Sequence, residues 1–224
     1  MVPNPDLKAE YAYNAELGAA WRIDEKLRLD VATYYTHLNN ALVRRDFSLN
    51  RATTVDYQGE PSNVQAIQNA ASAEVYGVEA GLEYLFNKNI KLTSQIAVTE
   101  GSQEEDDGSE APLRHAAPTF GNTHLIYRLK RWKFDVSAVY NGEIASEDLA
   151  PSQVGNTYLY ALDANGNPYS PRWYTLNLYS EYQIAKNWKA TAALENITDQ
   201  RYRPYSSGIS ASGRNFIVAL KVGF

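Results

Sequence analysis

The amino-acid sequence predicts an all-β protein whose antiparallel strands form part of a transmembrane β-barrel. Three observations predict this class: nine stretches in which apolar and polar residues alternate, a strict alternation of short and long connections, and aromatic residues near both ends of the apolar faces. An alternation with a period of two indicates β-strands, because successive side chains of a strand point to opposite faces of the sheet.

The first observation is the alternation itself. In the third stretch, Tyr76, Val78 and Ala80 share one face, whereas Glu79 and Glu83 share the other. We expect the apolar faces of all nine strands to lack charged residues, because a Lys or Arg facing lipid costs about 2–4 kcal/mol near the membrane midplane. A soluble β-sandwich would also keep its core face uncharged, so the alternation alone does not select the membrane. The nine predicted strands span residues 11–23, 27–43, 72–86, 90–100, 119–129, 132–141, 173–184, 188–196 and 213–224.

The second observation concerns the connections between these strands. Short and long connections alternate strictly along the chain, which places all tight turns of an antiparallel sheet at one end and all long loops at the other. Outer-membrane barrels divide their periplasmic turns and extracellular loops in this way. The short connections are 24–26, 87–89, 130–131 and 185–187, and the long ones are 44–71, 101–118, 142–172 and 197–212.

The third observation is the placement of aromatic residues. One set lies beside the short connections and a second set lies about one membrane thickness further along the same faces, roughly 20–25 Å at about 3.3 Å per residue and a tilt of about 40°. We therefore predict two aromatic girdles at the membrane interfaces. The predicted girdle residues are Trp21, Phe86, Trp132 and Trp188 beside the turns, and Tyr76, Tyr140 and Tyr174 toward the loops.

Composition excludes several classes of function. The chain has 26 acidic and 21 basic residues and no Lys/Arg cluster, which argues against a nucleic-acid partner. It has no cysteine, which excludes disulfides and thiolate chemistry. The first residues lack a signal sequence, so we expect either a removed signal or a start inside a longer protein.

No segment predicts catalysis, a cofactor or a metal site. The acidic stretch 100–110 is interpreted as a solvated loop rather than a cation site. Segment 163–167 resembles the start of a calcium loop, but Pro168 replaces the required glycine, so we predict a turn there. The three histidines lack the spacing of metal ligands.

The odd strand count predicts a piece of a barrel, because an open sheet leaves unpaired edges in lipid. A small self-closed barrel requires a hidden strand, for which segment 158–160 is the best candidate.

Several short motifs then carry a resemblance to a known family. The chain resembles the C-terminal part of a TonB-dependent outer-membrane receptor over nearly its whole length. The motifs are Asn4-Pro5-Asp6-Leu7-Lys8, Glu16-Leu17-Gly18, Asn196-Ile197-Thr198-Asp199 with Arg201-Tyr202, Ser207-Gly208-Ile209, Gly213-Arg214-Asn215-Phe216 and the terminal Phe224.

The resemblance implies that residues 1–224 are the C-terminal part of a 22-stranded barrel, with the plug domain and the N-terminal strands lying upstream. It implies uptake of a scarce nutrient, such as an iron-siderophore, haem, cobalamin or a glycan, energised by the TonB complex through the missing N-terminal part. The other implied partners are outer-membrane lipid and the barrel-assembly machinery, which would read Phe224 as a signal.

Ligand contacts are expected in the long loops, because binding residues concentrate on loops over a rigid scaffold. Two alternatives stay open: a small self-contained outer-membrane barrel, acting as a pore or a structural protein, and a soluble β-protein that binds carbohydrate through surface aromatics. The candidate ligand-binding residues are Tyr57, Arg114, His115, Tyr158, Tyr160, Arg201, Tyr202 and Tyr205.

Overall fold

The computed structural model describes residues 1–69, 72–105 and 108–223. Nine long strands make up one wall, and each hydrogen-bonds in antiparallel fashion to the next one along the chain. The nine predicted wall strands are thereby confirmed. They are β1 (Tyr11–Arg22), β2 (Leu27–Asn39), β3 (Ser72–Asn87), β4 (Ile90–Glu104), β5 (Phe120–Leu129), β6 (Trp132–Asn141), β7 (Trp173–Ala185), β8 (Trp188–Glu195) and β9 (Asn215–Val222).

Two strand boundaries differ from the prediction by four residues each, and the others agree to within two residues. β2 ends at Asn39, because Asn40 adopts a left-handed backbone with φ of 57° and turns the chain away. Residues predicted as its continuation belong to a separate strand, Leu42–Asp46, which pairs with Gln65–Asn69 in the first long loop. β4 instead runs to Glu104, beyond the predicted end at residue 100.

The long loops contain the remaining regular structure. Strand Thr54–Tyr57 pairs with Glu60–Asn63, and Ala161–Leu162 pairs with Pro168–Tyr169. The short helices are Ser146–Asp148, a 3₁₀ helix, and Pro151–Val154, an α-helix. No helix of the described ranges is both long and apolar enough to span a membrane.

The predicted hidden strand at 158–160 is wrong, since Tyr158 and Tyr160 lie in a turn region. The sheet that forms the wall contains one further short strand, Glu110–Pro112. This strand pairs with the loop end of β4 and adds no strand at either edge of the wall. Among the described residues β1 and β9 each pair with one neighbour only, so this wall does not close into a ring. The structure therefore contradicts the small self-closed barrel.

One face of the wall is apolar and exposed. Leu17, Phe216 and Val218 have 74%, 68% and 67% of their surface accessible. Aromatic rings also contact each other on this face, with Trp132 stacked on Phe134 at 5.4 Å and close to Tyr182 at 4.5 Å between ring centroids. An apolar surface of this extent is expected where a barrel meets lipid.

The opposite face carries ion pairs that link neighbouring strands diagonally. The Lys91 ammonium lies 2.6 Å from the Glu83 carboxylate and that of Lys189 lies 3.0 Å from Glu181. The predicted segregation of charge fails at the loop ends of β3 and β4, where Glu74 and Glu100 share the apolar parity. Each accepts a hydrogen bond from a tyrosine hydroxyl on its own face, Tyr35 to Glu74 at 2.8 Å and Tyr76 to Glu100 at 2.9 Å. These carboxylates lie at the end of the apolar band, where tyrosine hydroxyls donate to them.

Candidate ligand-binding site

The long loops gather at one end of the wall, opposite the tight turns. Antiparallel pairing of consecutive strands places them there, because each strand reverses the direction of the one before it. The buried residues of the chain are concentrated in and beside these loops: Ala41, Val64, Ala66, Ala73, Ala97, Ala111, Leu149, Ala150, Gln153, Tyr160, Ser170, Thr175 and Asn196.

Three of the long loops contribute to one buried polar cluster. The Tyr205 hydroxyl donates a hydrogen bond of 3.0 Å to Oε1 of Gln153, which is 1% exposed. The Tyr205 ring lies 6.3 Å from that of Tyr160, itself almost fully buried. Burial raises the pKa of Tyr205, and a hydrogen bond from the backbone of His115 partly opposes this rise. The cluster therefore ties the loops before β5, before β7 and before β9 to each other.

A cavity of about 420 Å³ lies next to this cluster, between the start of β7 and the last long loop. The rings of Trp173 and Tyr202 stack at its wall, with centroids 4.1 Å apart. Arg172, Arg201 and Arg203 also line the cavity.

The predicted residues Arg114 and His115 form a second contact. The Arg114 Nε donates to the His115 Nε2 across 3.3 Å, and His115 has a left-handed backbone with φ of 69°. Partial burial lowers the pKa of His115, and the positive charge of Arg114 lowers it further. The neutral imidazole is thus the favoured form in this loop.

The eight predicted ligand residues fall into three groups. Tyr160, Tyr205 and the backbone of His115 meet in the polar cluster, with Arg114 hydrogen-bonded to the His115 ring, whereas Arg201 and Tyr202 line the cavity. Tyr57 and Tyr158 are 64% and 70% exposed. Among the described residues no ring contact or side-chain hydrogen bond joins either of these two to the others.

Four further residues that build this end of the molecule are not among those predicted from sequence: Gln153, Arg172, Trp173 and Arg203. The alternation along β7 indicates the position of one of them. Trp173 lies on the same face as Glu181, which is the charged face, and not on the lipid-side face of Tyr174. The spacing of Arg201 and Arg203 was a weaker signal. Gln153 carried none, since its burial depends on contacts with residues about fifty positions away.

The predicted interface aromatics lie on the exposed face, at the two ends assigned to them. Trp21, Phe86, Trp132 and Trp188 adjoin the tight turns and are 42–51% exposed. Toward the loops, Tyr76 and Tyr174 are 46% and 50% exposed, and Tyr140 is half-buried with its ring over Gly121.

The segment once compared with a calcium loop folds as a turn. Asp163 Oδ1 accepts the backbone N–H groups of Asn165 and Asn167 at 2.8 and 2.7 Å, and these bonds lower its pKa. Within the described ranges no cluster of three or more His, Asp or Glu side chains is arranged to hold a metal ion. Phe224, the predicted assembly signal, lies outside the described residues.

An open antiparallel wall with a lipid-type face, a charged opposite face and long loops at one end defines the class of outer-membrane β-barrel proteins. The family model described as TonB dependent receptor-like, beta-barrel matches residues 1–197. The chain belongs to this family, and its location is the bacterial outer membrane. This result contradicts the soluble carbohydrate-binding alternative.

Relatives and solved structures agree with the family. The chain is 28% identical over its full length to Heme/hemopexin utilization protein C of Haemophilus influenzae, of which it spans 30%. Its fold is similar to that of the copper transporter OprC, with a TM-score of 0.75 and 16% identity over 98% of this chain and 33% of that one. It is also similar to the siderophore receptor PirA of Pseudomonas aeruginosa, with a TM-score of 0.66 and 17% identity over 99% of this chain and 31% of that one.

Proposed function

We propose that this chain supplies barrel wall and ligand-facing loops to a receptor that imports a scarce nutrient with energy from the TonB complex, without catalysis of its own. The family match over residues 1–197 carries this proposal. The two-faced wall supports it, because a barrel needs one lipid-compatible face and one that tolerates charge.

Haem is the first candidate for the nutrient. The relatives named for haem and hemopexin utilization align with the entire chain at 26–28% identity. The similarity to copper and siderophore receptors, at 16–17% identity, supports the fold alone. Siderophores, cobalamin and glycans are the other nutrients to test.

The remaining parts of the machine lie in the rest of the receptor under this proposal. The chain spans about a third of its relatives' length. We propose that residues 1–224 form the C-terminal part of a barrel of 22 strands. The plug domain, the earlier strands and the segment that contacts TonB precede it. Outer-membrane lipid contacts the exposed apolar face, and the barrel-assembly machinery recognises the terminal Phe224.

Ligand contacts are assigned to the loop end. Within this proposal Arg201 and Tyr202 contact the ligand from the cavity wall, and His115, Tyr160 and Tyr205 hold the surrounding loops in place. Tyr57, Arg114 and Tyr158 are exposed side chains that contact ligand on entry.

Growth on haem tests this proposal. A strain without other haem receptors is grown under iron limitation with haem as the iron source, with and without the full-length receptor. Growth that requires both the receptor and an intact TonB complex is expected. Growth on a siderophore or cobalamin but not on haem would assign that nutrient as the ligand instead of haem. Growth without an intact TonB complex would contradict TonB-energised uptake.

A further inference from the structure

Three guanidinium groups line one cavity that contains no acidic side chain. Arg172, Arg201 and Arg203 border the cavity of about 420 Å³, and its other lining residues are neutral. The chain as a whole has a formal net charge of −5, so the positive charge at this cavity is opposite in sign to the net charge of the chain. Like charges gathered at one site repel each other unless a counter-charge is supplied.

Only one of the three arginines has an assigned partner in the part of the chain that the structure describes. Arg203 donates a hydrogen bond of 2.7 Å to the backbone carbonyl of Tyr158, which fixes its position without neutralising its charge. Arg172 and Arg201 are exposed, and no ion pair or hydrogen bond of their side chains occurs among the described residues. Guanidinium groups match oxyanions well, because their N–H groups form two parallel hydrogen bonds.

A further donor at the same cavity lacks an acceptor. Trp173 lines the cavity, and its indole N–H is buried without a hydrogen-bond partner in the described structure. A buried N–H without an acceptor is unfavourable. An oxyanion held by the arginines would supply the counter-charge that this cavity lacks.

We propose that this cavity binds the acidic groups of a soluble organic ligand. A volume of about 420 Å³ suits a small organic molecule rather than a single inorganic ion. Trp173 has the parity of the charged face, one residue before the lipid-side Tyr174, so its ring lies on the side of the wall that faces away from lipid. This inference rests on the proposed function and deepens it by assigning an acidic nutrient. Haem meets this requirement through its two carboxylates, and a neutral nutrient does not.

The test uses an anionic probe that is independent of the nutrient. Pyrene trisulfonate dye is titrated into the full-length receptor in neutral detergent, and binding is followed by fluorescence anisotropy. Replacing Arg172, Arg201 and Arg203 together by Gln is expected to weaken binding at least about 100-fold, and Arg201→Gln alone about tenfold. The matched control Arg51→Gln, in the first long loop, is expected to change affinity by less than about twofold.

Chemical modification of the wild-type receptor tests the same site without depending on the folding of the triple variant. Phenylglyoxal modifies exposed arginines, and the bound dye is expected to protect Arg172 and Arg201 of the wild-type receptor but not Arg51. Failure of the wild type to bind the dye, equal affinity of the triple variant or absence of protection would each overturn the inference. Dye binding that depends on the arginines in a receptor that does not import haem would support the anion site while rejecting haem as the nutrient.

Discussion

The two ends of the wall are built by different means. At the turn end, Asp24 and Asn87 perform the same task in two connections, each accepting two backbone N–H groups through its side-chain oxygen. At the loop end, buried polar side chains bridge distant segments, as when Gln153 accepts a hydrogen bond from Tyr205. The Asn196 side-chain amide likewise donates a hydrogen bond of 3.2 Å to the backbone carbonyl of Ser212, which lies 16 positions further along the chain.

Local sequence therefore specifies the turn end, whereas contacts between remote residues specify the loop end. Both ends can be probed by substitutions at matched positions.

The largest effect is expected within the wall itself, at Gly77 of β3. A β-carbon added there would lie 2.5 Å from both the Val98 carbonyl oxygen and the Tyr34 hydroxyl. Gly77→Ala must therefore displace backbone, and we expect it to lower the free energy of unfolding by about 3 kcal/mol. Gly81→Ala is the matched control, because its β-carbon would meet Asp30 at an ordinary 3.6 Å. Urea unfolding of the full-length receptor in lipid vesicles measures both, and equal stability of the two variants would contradict this close approach.

The next effect compares the two aromatic girdles. Trp132 contacts two other rings at the turn end, so Trp132→Ala is expected to cost about 2 kcal/mol. Tyr174 at the loop end is 50% exposed, and no ring contact of its side chain occurs among the described residues. Tyr174→Ala is expected to cost less than half as much in the same unfolding measurement. A larger loss at Tyr174 would reverse the assigned order of the two girdles.

Much of the wall could be predicted from sequence, and much of the loop end could not. The alternation of apolar and polar residues located all nine strands, because successive side chains of a strand face opposite sides of the wall. β3 and β6 show this pattern along their length. It misplaced the end of β2, where Asn40 leaves the strand through a backbone conformation that alternation does not encode. It also overlooked Glu74 and Glu100, whose tyrosine partners lie on adjacent strands and emerge only from the register. The grouping of Tyr160 with Tyr205 followed from tertiary contacts alone.

A smaller and local effect is expected in the polar cluster. Tyr205→Phe removes the hydrogen bond to Gln153 and leaves both polar atoms of that buried amide unpaired, because Nε2 already lacks a partner among the described residues. We expect a loss of about 1 kcal/mol, confined to the loops. Hydrogen exchange should therefore accelerate in loops 142–172 and 197–212 but not in β6. Tyr158→Phe, at a 70% exposed side chain, is the control and should leave exchange unchanged.

The smallest effect is a pH dependence at His115. Its pKa in the folded loop is lowered below the ordinary value of 6.5, so the folded state binds protons more weakly than the unfolded one. The contribution to loop stability is complete above that value and declines as pH falls toward the folded-state pKa. Protection factors in loop 101–118, which are corrected for the intrinsic pH dependence of amide exchange, should fall as the pH is lowered from about 7.5 to about 5. His115→Asn should abolish this fall, and a fall of the same size in that variant would assign it to another group.

Every strand of the wall has one lipid-facing and one interior face. The chain contains no cysteine, so single cysteines at Val136, Ser137, Ala138 and Val139 of β6 can carry an environment-sensitive fluorophore in the full-length receptor, with any upstream cysteine replaced. In lipid vesicles we predict blue-shifted emission at residues 136 and 138 and water-accessible emission at 137 and 139. Equal emission at all four positions, or the opposite parity, would contradict the account.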